Sequence, residues 1–152
     1  MKKYITLLLI TPLLGQDYSW PTGTGKNLSS NFGEFRTTGY HLGIDVKTKG
    51  TEGHPIYAID DGYVYRVVTN YSGFGKALYY KLMDGNIAVY AHLSTFSPKL
   101  EERLKDEQEK SQSYLTHFFP EKDEFSYSKN DVIAYSGNTG FSFGPHLHFE
   151  LR

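Results

Sequence analysis

The chain ends in Pro145-His146-Leu147-His148-Phe149-Glu150-Leu151-Arg152, an alternation of polar and apolar residues. Such alternation predicts a β-strand that sends successive side chains to opposite faces. His146, His148 and Glu150 then share one face, with the two histidine backbones roughly 7 Å apart. Two imidazoles aimed into one cavity suit a metal site, in which one ligates and the other handles protons or substrate. On its own, a His-x-His pair is more often packing or surface histidine. Glu150 either orients a neighbouring imidazole or is a solvated residue at a strand end, and the sequence favours the second reading.

Two further segments carry the same residue types. In His41-Leu42-Gly43-Ile44-Asp45, a helix would bring His41 and Asp45 together, but Gly39 and Gly43 among β-preferring residues argue against one. On a straight strand, positions four apart lie about 13 Å from each other, too far for both to reach one ion at roughly 2 Å. The chain must therefore bend between them, and Gly43 is where a bend costs least. Tyr90-Ala91-His92-Leu93 lies within an alternating run, which puts Tyr90 and His92 on one face. A polar turn around His41 and a satisfied mid-strand His92 are the plain alternatives.

The elements that must hold these residues are mostly strands. Ile56 to Ile59, Tyr63 to Thr69, Lys76 to Met83, Asn86 to Leu93 and Asp131 to Ser136 are β-rich runs, broken by Asp61-Gly62 and by Asp84-Gly85. The second of these breaks is a two-residue hairpin signal. Leu100 to Tyr114 differs, with strong helix formers, no Gly or Pro, and apolar residues only at Leu100, Leu104 and Tyr114. It predicts an exposed amphipathic helix, followed by a loop from His117 to Lys129 that turns near Pro120. Residues 16–30 read as loop, a character that continues to Phe35, ahead of a domain over 31–152. The helical insertion occupies about 98–129. The fold class is mainly β, an antiparallel sheet or sandwich core plus this one helical insertion.

Composition narrows the function classes. The 152 residues include 13 Tyr, 10 Phe and 15 Gly, with 22% charged, which suits an ordered β domain with many turns. The formal net charge is -1 and no basic stripe stands out, so nucleic acid is not indicated as a partner. There is no cysteine, which removes disulfides, thiolate ligands and a Cys nucleophile. Any zinc is then held by His and carboxylate, the usual set for catalysis. Met1-Lys2-Lys3 followed by the apolar stretch Tyr4 to Leu14 reads as a signal peptide over residues 1–15, too short for an ordinary membrane span. The expectation is an exported protein of the bacterial periplasm, envelope or exterior, with no membrane span after cleavage. Nothing in the sequence sets the oligomeric state.

The joint order of motifs is far more specific than its parts. His41, Gly43 and Asp45 precede Gly53 with Pro55, then Asp61-Gly62, Tyr90-Ala91-His92, Ser136-Gly137-Asn138-Thr139-Gly140 and Gly144-Pro145-His146-Leu147-His148-Phe149-Glu150. In this order the chain resembles the lysostaphin/LytM-type zinc endopeptidases of bacterial cell walls, the duplicated hybrid motif peptidases. Ser30-Asn31-Phe32-Gly33 resembles that family's opening motif, so the likeness runs from Asn31 to Leu151 and is interrupted by the insertion.

The resemblance implies a β-sheet core with a groove and one zinc ion per domain. It matches His41, Asp45 and His148 to the metal ligands, and His92 and His146 to two catalytic histidines that do not bind zinc. It implies peptidoglycan peptide as substrate. In such a site three protein ligands leave one zinc position open for water, whose pKa falls to near 7. The histidines would stabilise the oxyanion and move a proton to the leaving amine. No His-Glu-x-x-His helix is present to supply a glutamate base. The insertion falls where relatives usually have a short connection, and it reads as a lid, a partner contact or a passive excursion. Lys129-Asn130-Asp131 stands where many relatives have a glycine. The chain stops in a strand that relatives usually continue, which reads as a truncated C-terminus.

Two competing readings are weaker. Gly140-Phe141-Ser142-Phe143-Gly144 matches the G-x-S-x-G nucleophile elbow, but Pro145 and a strand pattern follow where a helix is required, with no Asp downstream. This segment is expected to shape the groove wall. His54 and His117 fall outside the constellation and are expected to be solvated. The alternative from a different class is a non-catalytic module that binds peptidoglycan or activates another hydrolase. Such modules typically lose metal ligands, and here the whole set is present.

Overall fold

A computed structural model describes residues 17–152, apart from positions 38 and 123. The expected signal peptide lies outside the described residues. The strands in chain order are β1 (Leu28–Ser30), β2 (Phe35–Arg36), β3 (Gly39–Tyr40), β4 (Ile44–Lys47), β5 (Pro55–Tyr57), β6 (Gly62–Thr69), β7 (Ala77–Leu82), β8 (Ile87–Ala91) and β9 (Leu93–Phe96). Helix α1 (Pro98–Ser111) is followed by β10 (Thr116–Phe118), β11 (Ser126–Tyr127), β12 (Val132–Ser136) and β13 (His146–Leu151). The main sheet runs β1-β4-β13-β8-β7-β6-β10 with β11 also on β6, and β5-β12-β9 form a second sheet. All pairings are antiparallel.

Strand alternation separates core from cleft. On β13, Leu147 and Phe149 turn to the core, and on β4 so do Ile44 and Val46. Their neighbours Asp45, His146, His148 and Glu150 take the opposite face. The core joins Val64, Leu78, Tyr80, Tyr90 and Leu147 of the main sheet to Ile56, Ile133, Leu93 and Phe96 of the small one. It is closed by Leu100 and Leu104, the buried stripe of α1.

Several expectations are corrected in detail. Leu28 to Ser30, read as loop, is a strand because its backbone completes the edge of β4. The Asp84-Gly85 hairpin is longer than two residues: Leu82 and Asn86 close a three-residue loop with Gly85 at φ 97°, the type I turn plus bulge that also suits an Asp-Gly pair. The helix begins at Pro98, two residues before the predicted start, since Pro is favoured in a first turn. It ends at Ser111, where Gln112 turns left-handed. The insertion is more than a helix, because β10 and β11 both pair with β6 and cover that edge. Asn130, where a glycine was expected, has φ 72°, a conformation that Asn tolerates better than most residues.

The helix is tied to the sheet by a half-buried ion pair. Lys76 Nζ lies 2.7 Å from Glu101 Oε1, and Glu101 Oε2 accepts the Phe96 N–H at 2.9 Å. Burial alone would raise the Glu101 pKa, but Lys76 and the Phe96 amide outweigh it and hold the carboxyl below its usual range. A depressed carboxylate contributes stability above its unfolded pKa and loses it as pH falls through the folded value. Glu101→Gln is therefore expected to cost about 1–2 kcal/mol near neutral pH. Its unfolding curve should converge on that of the wild type below about pH 4, as read by chemical denaturation across pH.

Candidate metal centre

Three adjacent strands bring the singled-out residues together. On β13, His148 pairs with Asp45 of β4 on one side and with Ala91 of β8 on the other, and His92 follows Ala91 directly. His41 arrives from the bend before β4. Its main chain is bonded to the opening motif, with Gly33 N–H donating to His41 O at 2.8 Å and His41 N–H to Glu34 O at 2.9 Å. The bend at Gly43 occurs as expected, but space is the stronger reason for glycine. A Cβ there would lie 2.5 Å from Phe149 O and 2.9 Å from His148 Cε1. Gly43→Ala should push β13 from β4, costing about 1–3 kcal/mol by overpacking and lowering the melting temperature by several degrees in calorimetry.

The donor atoms converge. His41 Nε2, Asp45 Oδ1 and His148 Nδ1 are separated by 3.0, 3.2 and 2.9 Å, and all three residues are buried. A backbone carbonyl only accepts, so His41 Nδ1–H donates to Asn31 O at 2.8 Å. His148 faces a carboxylate through each nitrogen, with Glu150 Oε1 3.0 Å from Nε2 and Asp45 Oδ1 2.9 Å from Nδ1. With the His148 proton on Nε2, each ring turns a lone pair towards the other and towards the Asp45 carboxylate. Three acceptors this close repel one another unless a cation or a proton lies among them. Ligands at about 2.0 Å around a tetrahedral ion sit roughly 3.3 Å apart, so the nitrogen–nitrogen–oxygen set fits zinc.

The surrounding charges favour an ionised Asp45. Burial would raise its pKa, but His148, when protonated at Nδ1, and the Arg36 guanidinium outweigh that and hold it well below the carboxylate range. Burial likewise opposes charge on His148, yet Asp45 and Glu150 together raise its pKa. Glu150 is buried and accepts from His148 and from Arg152 Nε at 2.6 Å. The reading of Glu150 as a solvated residue is thus overturned: His148 and Arg152 draw it in.

The other two histidines flank the triad. His92 and His146 ring centroids are 4.7 Å apart, and His146 Nε2 is 3.6 Å from Asp45 Oδ1. His92 Nδ1–H donates to Thr139 O and His146 Nδ1–H to Gly144 O, each at 2.8 Å. Both Nε2 atoms are left as acceptors. Burial pushes His92 down to about 4, so it is neutral at pH 7. His92 is not in mid-strand as expected; it has φ 58° at the corner between β8 and β9. Gly137 makes room for that corner, since a Cβ on it would lie 2.8 Å from His92 O.

One site residue escaped the sequence reading. Arg36 Nη2 is 2.8 Å from Asp45 Oδ2 and 2.6 Å from Ser30 Oγ, so it holds the carboxylate oxygen that faces away from the triad. Its only signal was a lone cation nine residues before Asp45. His54 is half-buried rather than solvated, with Nε2 2.8 Å from Thr51 Oγ1, and His117 is exposed as expected. Ser142 borders the cleft with Oγ 3.0 Å from Gly144 O, and no helix follows it. The cleft has a lobe of about 270 Å³ beside His41 and His148, and one of about 980 Å³ beside Asp45 and His146. Among the described residues, none from the insertion lines either lobe, which disfavours a lid.

The chain is similar to known proteins in sequence and in fold. A sequence profile described as Peptidase family M23 matches residues 39–117, just over half the chain. A DD-carboxypeptidase/endopeptidase from Neisseria meningitidis serogroup B is 31% identical over 112 residues, which is 74% of this chain and 20% of that protein. A glycyl-glycine endopeptidase from Staphylococcus capitis is 32% identical over 114 residues, 74% of this chain and 24% of that protein. The chain thus spans about a fifth to a quarter of the length of these relatives. A zinc-containing peptidase from Vibrio cholerae superposes with a TM-score of 0.65 at 22% identity, covering 90% of this chain and 36% of that one.

Proposed function

Because the chain belongs to peptidase family M23, we propose that it is a zinc metalloendopeptidase that hydrolyses peptide bonds of bacterial peptidoglycan, in a cross-link or a stem peptide, outside the cytoplasm. The observation that carries this reading is the convergence of His41 Nε2, Asp45 Oδ1 and His148 Nδ1 beside the Nε2 atoms of His92 and His146, at the floor of a cleft. His41, Asp45 and His148 would hold the zinc. When bound there, zinc supplies Lewis acidity, which acidifies a water and polarises the scissile carbonyl.

The chain's own groups supply the rest. His92, kept neutral by burial, takes the proton from the attacking water at Nε2. It returns that proton to the amine as the C–N bond breaks. His146, when protonated at Nε2, donates to the carbonyl oxygen as negative charge builds there. Thr139 O and Gly144 O fix the two rings so that Nε2 faces the cleft in each. Arg36 and Glu150 hold Asp45 and His148 in place.

The test is mass spectrometry of material released from purified peptidoglycan by the zinc-loaded chain. New peptide termini, absent with a His148→Ala control, support the hydrolase and name the bond. One bound zinc with no products across several peptidoglycan types would favour the non-catalytic binding or activating module.

A further inference from the structure

Both lobes of the cleft are lined by Arg36, His92 and Phe141. The smaller adds Arg152, which is paired with Glu150, and the larger adds Lys47 and Lys49. Lys47 shares the face of Asp45, two residues along β4, and sits opposite His146 across the β4–β13 pairing. Its side chain therefore rises from the cleft floor beside the reacting groups. Neither ammonium is paired with a carboxylate among the described residues. The acids that line the same lobe are already engaged. Asp45 faces Arg36 and the imidazoles, and Glu34 accepts from Ser30 Oγ and the Asn31 N–H.

Lys49 adds an independent sign. Thr51 N–H donates to Thr48 O at 3.1 Å, closing a turn in which Lys49 has φ 57° and Gly50 φ 74°. Positive φ at both central positions is the type I′ pattern, which favours Asn or Gly at the first of them. A lysine held in this left-handed conformation, at the rim of a cleft, is the kind of local strain that marks functional positions.

We propose that Lys47 and Lys49 form a carboxylate-binding subsite in the larger lobe. The favoured substrate is then a peptide with a free carboxylate within about two residues of the scissile bond, a reach set by the roughly 3.3 Å rise of an extended chain. A neutral glycine bridge or an amidated peptide would leave both ammoniums without a partner. This assignment rests on the peptidase reading above, because the subsite is defined relative to that metal centre.

Two fluorescent stem-peptide dimers test it. One has its glutamate and diaminopimelate carboxylates free, and the other has them amidated. Dissociation constants for the zinc-loaded full chain are read by anisotropy within seconds of mixing, and products by mass spectrometry of the same samples. The free-acid dimer should bind about three- to tenfold more tightly at low salt, and added salt should shrink the difference. In Lys47→Gln/Lys49→Gln, with zinc content and melting temperature checked, the two constants should draw together. Equal binding by the wild type, or a preference that survives in the double variant, overturns the subsite. A preference that is present while neither dimer nor any of several peptidoglycan types is cut overturns the hydrolase reading and leaves the subsite standing.

Discussion

His148→Ala is expected to leave the protein folded, without zinc at stoichiometric level, and with peptide release from peptidoglycan lost by at least about a thousandfold. His148 Nδ1 is 3.0 Å from His41 Nε2 and 2.9 Å from Asp45 Oδ1, so its removal opens one corner of a three-donor set. Two donors retain a divalent ion poorly, because each lost ligand exposes the ion to competing water. The variant also strands Glu150, a buried carboxylate, with Arg152 as its remaining partner. Its core-facing neighbours Leu147 and Phe149 are untouched, so the melting curve without zinc should stay cooperative. Zinc content by atomic emission and product yield by mass spectrometry check the two halves separately. A variant that cleaves at the wild-type rate would remove His148 from the ligand set.

The same geometry fixes a pH dependence for the wild type. Metal and proton compete for the lone pair on His148 Nδ1. The Asp45 and Glu150 carboxylates raise the His148 pKa despite its burial. A raised pKa lets the proton compete at higher pH. Zinc affinity should therefore begin to fall on acidification at a higher pH than an ordinary imidazole near 6.5 would give. Competition with a chromophoric chelator from pH 8 to pH 5 reads this directly.

Much of this site was legible because strand periodicity is local. The alternation from His146 to Glu150 needed no knowledge of neighbours, and the structure places those side chains on one face. The bend at Gly43 followed from the reach of two ligands, although its tighter cause, the backbone of Phe149 at 2.5 Å from a virtual Cβ, lay a hundred residues away. Long-range contact is also what hid the rest. His92 looked like a mid-strand residue until Gly137 and Thr139 from a distant loop forced its corner. Glu150 looked solvated because nothing in the sequence shows that His148 and Arg152 close around it. Arg36 carried no periodic or motif signal, and only the folded hairpin of β2 and β3 brings it to Asp45.

His92→Ala should give the opposite signature to the ligand variant: one zinc retained, and kcat lowered by about 100- to 10,000-fold with little change in KM. His92 donates to Thr139 O through Nδ1 at 2.8 Å, which leaves Nε2 as an acceptor facing the cleft. Its backbone at φ 58° costs about 1 kcal/mol that an ordinary strand residue would avoid. Alanine in that corner relieves none of the strain, so any stability change should be small and destabilising. The imidazole sits where burial lowers its pKa to about 4 and so preserves its lone pair at neutral pH. If His92 served only to fill space and hold Thr139 O, a smaller non-basic donor such as His92→Asn would restore much of the rate lost in His92→Ala. If His92 moves the proton, asparagine leaves kcat as low as alanine does while zinc content stays at one. A His92→Asn variant within threefold of the wild-type rate, measured on released peptides, would remove His92 from the chemistry and leave His146 as the remaining candidate base.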